Sequence, residues 1–203
     1  MAAARPDRRT ERTRQALMSA FVQLVLTRGY EQVTVEEIAA RANTGRSTFY
    51  MHYRGKEHIL KQSLMRPSTP LAAAVGHDLS AEALAPQLAH FHAQRTVNRA
   101  FFAEPMRPIW VKCLAGLIEP RLAALARHGR ADPILPLGLI AAQIAEAQIA
   151  LVSNWLTAKP SLKPLVVGEA LIAATQAMTA ALLRCPPGTP LFIPGEKLRV
   201  LEV

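Results

Sequence analysis

Cysteine is nearly missing from this chain. Cys113 and Cys185 are the only two in 203 residues. They stand far apart and without a repeated Cys/His spacing, so neither a disulfide framework nor a zinc site is expected. Aromatic residues are also scarce, at 5% against an apolar fraction of 50%. A core poor in rings must be built from Ala, Leu, Val and Ile, which suits close-packed helices better than sheets and predicts an all-α chain. Acidic residues number 15 against 24 Lys and Arg, giving a formal charge of +9, which favours a polyanionic partner. No run of about 18 apolar residues escapes polar interruption, and residues 1–10 are charged, so the expectation is a soluble, cytoplasmic protein with no membrane partner. Nucleophile elbow, phosphate loop and dinucleotide fingerprint are all lacking, so neither an enzyme nor a cofactor is expected.

The positive charge is unevenly spread. Residues 1–66 hold 12 Lys and Arg against 6 Asp and Glu, while the remainder holds 12 against 9. Five arginines crowd residues 5–14, which reads as a flexible basic arm. Over 13–28 the residues Ala16, Leu17, Ala20, Phe21, Leu24 and Val25 recur at three- and four-residue steps, the buried stripe of a helix that Gly29 ends. Thr34 and Glu37 have the spacing of a capping box, predicting a short helix from Val35 to about Ala42. Asn43 and Gly45 break it. A third helix follows over 46–53 with Phe49 and Tyr53 on one face, and two short helices joined by about three residues form a helix-turn-helix. A fourth helix opens near Lys56, with Pro67 and Pro70 expected to stop it and mark the domain boundary. Further helices are expected at 81–102, 106–128, 136–158 and 164–184, before a Pro-rich tail over 186–203.

Residues 34–60 resemble the DNA-binding signature of the TetR family of bacterial transcriptional regulators. The resemblance joins Gly29, the Thr-capped second helix with Ile38 and Ala39, the Thr48-Phe49-Tyr50 core of the third helix and Lys56-Glu57 at the fourth. Two positions depart from the common pattern: Asn43 stands where the turn Gly is usual, and Gly45 where Ser or Thr usually caps the recognition helix. Both are conformationally permissible. The family organisation implies an arm over 1–14, a three-helix helix-turn-helix domain over 15–66, a helical dimerisation and ligand-binding domain over 67–185 and the tail. It also implies a homodimeric repressor of a double-stranded DNA operator, released by a small, apolar effector.

Site residues follow from the resemblance and from side-chain chemistry together. Arg46, Ser47 and Thr48 are the candidates for base contacts, since Arg pairs with guanine O6 and N7 and hydroxyls are versatile partners. Thr34, Tyr50, His52 and Lys56 stand where the family contacts phosphates. An effector pocket is expected among Phe91, Phe101, Phe102, Trp110, Leu114, Leu117 and Ile144, with His90, Gln143 or Glu146 as polar contacts. The last two helices are expected to form the dimer surface through Leu139, Gln143, Ala147, Ala150, Leu151, Trp155, Leu171, Thr175, Met178 and Leu182. His90 and His92, two residues apart, face different sides of a helix and do not form a metal pair. The alternative from another class is a basic helical scaffold or membrane-surface protein without sequence-specific DNA readout.

Overall fold

The computed structural model describes residues 8–102, 104–129, 131–159 and 161–185; the Arg5 end of the arm and the tail from 186 lie outside them. The described residues form nine helices and no strand. They divide into two compact units, the first ending at Leu64 and the second beginning at Met65.

In the first unit α1 (Arg8–Arg28), α2 (Val35–Arg41) and α3 (Arg46–His52) enclose a core with the beginning of α4 (Lys56–Ala73). Leu17, Phe21, Val33, Ile38, Phe49, Ile59 and Leu60 are buried there. The basic arm is not wholly a free tail, because α1 already begins at Arg8. Its first turns are tied along the helix: Arg14 pairs with Glu11 at 2.9 Å, Gln15 donates to the same carboxylate at 3.1 Å, and Thr13 donates to the Arg9 carbonyl at 3.0 Å. Such i, i+3 and i, i+4 ties favour helix over coil. Gly29 ends α1 with a positive φ of 81° while its N–H still bonds the Val25 carbonyl.

Pro67 and Pro70 do not stop α4, which runs to Ala73. Burial overrides the local preference. Leu60, Leu64, Ser68 and Leu71 form a buried stripe at helical spacing that passes both prolines, which are themselves only half-buried.

The second unit holds the rest of α4 with α5 (Ala81–Ala93), α6 (Arg95–Phe102), α7 (Arg107–Gly129), α8 (Leu137–Thr157) and α9 (Pro164–Leu183). The single helix expected over 81–102 is broken at Gln94, the C-cap of α5. Asn98 stabilises the break by donating from Nδ2 to the Phe91 carbonyl at 2.9 Å. The main packing pairs are α7 with α8 and α5 with α9. By length and composition alone α8 and α9 are long and apolar enough to cross a membrane, although Gln143, Glu146 and Gln148 interrupt the one and Glu169 and Gln176 the other. Here α8 buries Ile140, Ile144, Gln148, Ile149 and Val152 as a core helix. On α9 the residues Leu165, Val166, Ala170, Ala173, Ala174, Ala177 and Ala181 are exposed, an Ala-rich strip on the outside of the unit that Glu169 interrupts near its start.

Candidate nucleic-acid interface

The turn between α2 and α3 sets the geometry of the site. Thr34 is the N-cap of α2: its Oγ1 accepts from the Glu37 N–H at 3.3 Å, and its own N–H donates to Glu37 Oε2 at 2.9 Å. The bond from the Thr34 N–H first, then Arg28 at 2.7 Å and the Thr34 hydroxyl donating at 3.1 Å, hold the Glu37 carboxyl below its ordinary pKa. Asn43 takes a positive φ of 52°, the left-handed conformation an Asn turn permits. The Thr44 N–H folds back to the Ala39 carbonyl at 2.9 Å, and Gly45 serves as N-cap of α3 without a side-chain cap bond.

One residue fixes α3 from below. Phe49 is fully buried, with its ring 5.5 Å from Tyr50 edge-on and 5.6 Å from Tyr53. Tyr53 is also buried, and its hydroxyl donates to the Arg14 carbonyl at 3.3 Å, tying the end of α3 to α1. Burial pushes the Tyr53 phenol above its usual pKa. The opposite face is open: Arg46, Ser47 and Tyr50 are exposed and Thr48 is half-buried. Arg46 meets Glu36 at 2.7 Å and has its guanidinium carbon 5.6 Å from the centre of the Tyr50 ring. Tyr50 first, and Glu36 second, raise the pKa of Arg46 above its ordinary value.

Two residues on this face were missed by sequence reasoning. Met51 is 75% exposed and lies four residues after Ser47, so it shares the open face. That spacing was the available signal. Glu36 was missed because its partner lies across the turn, at no fixed helical interval.

The expected phosphate contacts are differently occupied. Lys56 Nζ donates to the Tyr30 carbonyl at 3.0 Å and sits 4.4 Å from the Tyr30 ring centre, so it also closes the turn after α1. Thr34 is exposed but engaged in the cap, Tyr50 is open, and His52 is half-buried beside Tyr53.

In the second unit the expected pocket residues separate. Phe91, Phe101, Phe102, Trp110, Leu114 and Ile144 are buried, with the Phe102 and Trp110 rings stacked at 4.2 Å and Phe91 edge-on to both. Leu117 is half-buried. Gln143, Glu146 and His90 are instead exposed, and Glu146 is drawn outward by an ion pair with Arg107. The interior polar groups are others. Ser68 accepts from Trp110 Nε1 at 3.1 Å, and Gln148 Nε2 donates to the Leu71 carbonyl at 3.1 Å and to Thr175 at 3.0 Å. Among the described residues Gln148 Oε1 is buried without a hydrogen-bond donor.

The dimer candidates also divide. Trp155 and Leu171 are core residues, 4% and 1% exposed, and cannot present a surface. The Trp155 ring stacks on His92 at 5.2 Å and its Nε1 donates to the Leu162 carbonyl at 3.0 Å. Thr175 is buried with them. Leu139 and Gln143 are exposed, while Ala147, Ala150, Leu151, Met178 and Leu182 are half-buried. Cys113 and Cys185 are half-buried and not joined in a disulfide, and no cluster of metal-ligating side chains occurs among the described residues.

Residues 17–62 match the family described as bacterial regulatory proteins, tetR family. An uncharacterized HTH-type transcriptional regulator, YxbF of Bacillus subtilis, is 39% identical over 61 residues, which is 30% of this chain and only 16% of that relative. A TetR-family regulator from Streptomyces coelicolor A3 superposes with a TM-score of 0.56 at 19% identity, covering 88% of this chain and 99% of that one. The FadR repressor of Thermus thermophilus, solved with lauroyl-CoA, has a TM-score of 0.50 at 19% identity over 80% of this chain and 92% of its own.

Proposed function

We propose that this chain, whose residues 17–62 match the tetR family of bacterial regulatory proteins, is a transcriptional repressor that binds a pseudo-palindromic DNA operator as a homodimer. The observation that carries this reading is the two-sided character of α3. Phe49 is fully buried while Arg46, Ser47, Tyr50 and Met51 stand open beside it. A short helix held that firmly presents its outer side chains to the major groove without further ordering cost. Arg46, Ser47 and Thr48 read base edges, with Met51 available to a thymine methyl; Thr34, Tyr50, His52 and Lys56 hold phosphates and set register.

The twofold partner is a second copy through α8 and α9. An exposed Ala-rich strip lets two helices approach closely, and Leu139, Met178 and Leu182 lie on or beside the apolar outside of these helices. Two recognition helices then enter successive major grooves about 34 Å apart. Release follows from a small, largely apolar effector in the second unit, among Phe91, Phe102, Trp110 and Leu114, with the unfilled acceptor of Gln148 as a polar contact. Such a molecule relieves repression only by binding the DNA-incompetent state more tightly. Selecting bound fragments from a random duplex pool tests the reading: an enriched inverted repeat is expected, and a pool that stays random contradicts it.

A further inference from the structure

A carboxylate stands on the face that would meet DNA, where a polyanion ordinarily rejects one. Glu36 and Glu37 share the first turn of α2, yet they hold different partners. Glu37 closes the cap with Thr34 and pairs with Arg28. Glu36 reaches across the turn, and its Oε1 meets Arg46 Nη1 at 2.7 Å. Both side chains of that pair are open to solvent, at 54% and 64% exposure. The Arg46 guanidinium thus has two neighbours, the Glu36 carboxylate and the Tyr50 ring, whose centre is 5.6 Å away.

An untethered Arg opening a recognition helix reaches phosphates as readily as base edges, and so tightens binding to every sequence. A carboxylate partner changes that balance, because it fixes the fork of donors and offsets the charge that would release counterions. We propose that Glu36 is a positioning residue for base readout, holding Arg46 for a two-pronged guanine contact and withdrawing it from the phosphate backbone. This rests on the reading of α3 as the recognition helix. An exposed pair adds little to folding, so the effect belongs to DNA selection rather than to stability.

The test uses the full-length protein, the duplex it enriches from a random pool and a scrambled duplex of equal length. Dissociation constants are measured across a salt series for the wild type, E36Q, E36A, R46A and E36A/R46A, with thermal unfolding recorded for each. E36A is expected to unfold as the wild type does and to bind the scrambled duplex more tightly. Its preference for the enriched duplex should fall by about tenfold, and its log–log salt slope should steepen by about one per half-site. E36Q should fall between. In the R46A background the Glu36 change should do nothing further. Three results overturn the assignment alone: no change in preference on E36A, an equal tightening on both duplexes with or without Arg46, or an additive loss in the double variant, which would make Glu36 a direct reader of cytosine. A wild type without preference for any duplex overturns the recognition-helix reading itself, and this assignment with it.

Discussion

Phe49 and Arg46 carry opposite halves of one device, three residues apart. The ring supplies the anchor, fully buried against Tyr53, and truncating it leaves a cavity where α3 is held. Phe49→Ala should therefore destabilise the first unit by about 3–5 kcal/mol, read as a fall in its urea midpoint. Arg46→Ala should leave folding alone and relax discrimination at one base step of each half-site by about 1–3 kcal/mol, read from binding to single-position duplex variants. The anchor was legible in the sequence because an aromatic pair four residues apart, Phe49 and Tyr53, can only share one helix face. The Arg46–Glu36 pair was not, since two charges ten residues apart meet only if the intervening turn brings them together. Asn43 was read correctly from its tolerance of positive φ, which the turn uses at 52°.

Helix ends are where local chemistry decides most. The Thr34–Glu37 capping box satisfies donors that the start of α2 would otherwise leave open, and its spacing alone revealed it. Thr34→Ala should cost about 0.5–2 kcal/mol, measured by chemical denaturation. The same cap carries a pH dependence. Because hydrogen bonds from Thr34 and Arg28 depress the folded pKa of Glu37 below the ordinary carboxylate value, its contribution is complete above the unfolded pKa and is lost as pH falls through the folded one. The wild type should thus lose cap stability progressively as pH falls from the ordinary carboxylate pKa through the lowered folded one, and Glu37→Gln should remove that acid-limb component; an unchanged acid profile would contradict it. Elements governed by packing were less legible. Pro67 and Pro70 signalled an end to α4, but a buried stripe from Leu60 to Leu71 carries the helix past them. The break at Gln94 escaped notice because neither Gly nor Pro marks it, and Asn98 satisfies the Phe91 carbonyl instead.

For the whole molecule, composition and charge foretold an all-helical chain, and ordered motifs foretold its first unit. The second unit was legible as helices but not as faces. Ala- and Leu-rich sequences such as α8 and α9 are apolar nearly all round, so periodicity does not separate the core side from the outer side. Periodicity accordingly assigns Trp155 and Leu171 to the dimer surface, although both belong to the core. The exposed strip of α9 now gives the dimer reading a sharper test. Ala174→Glu should place an unpaired charge in the helix–helix contact at a cost of about 3 kcal/mol or more; sedimentation should then show monomer at concentrations where the wild type is a dimer. The central claim, that the open face of α3 enters the major groove and Arg46 meets guanine there, is tested most directly by dimethyl sulfate probing of guanine N7 on the enriched duplex. One symmetric pair of protected guanines, about one helical turn apart, should appear with the wild type and disappear with Arg46→Ala. Guanines that remain fully reactive in the bound complex, or protection that survives the substitution, would contradict it.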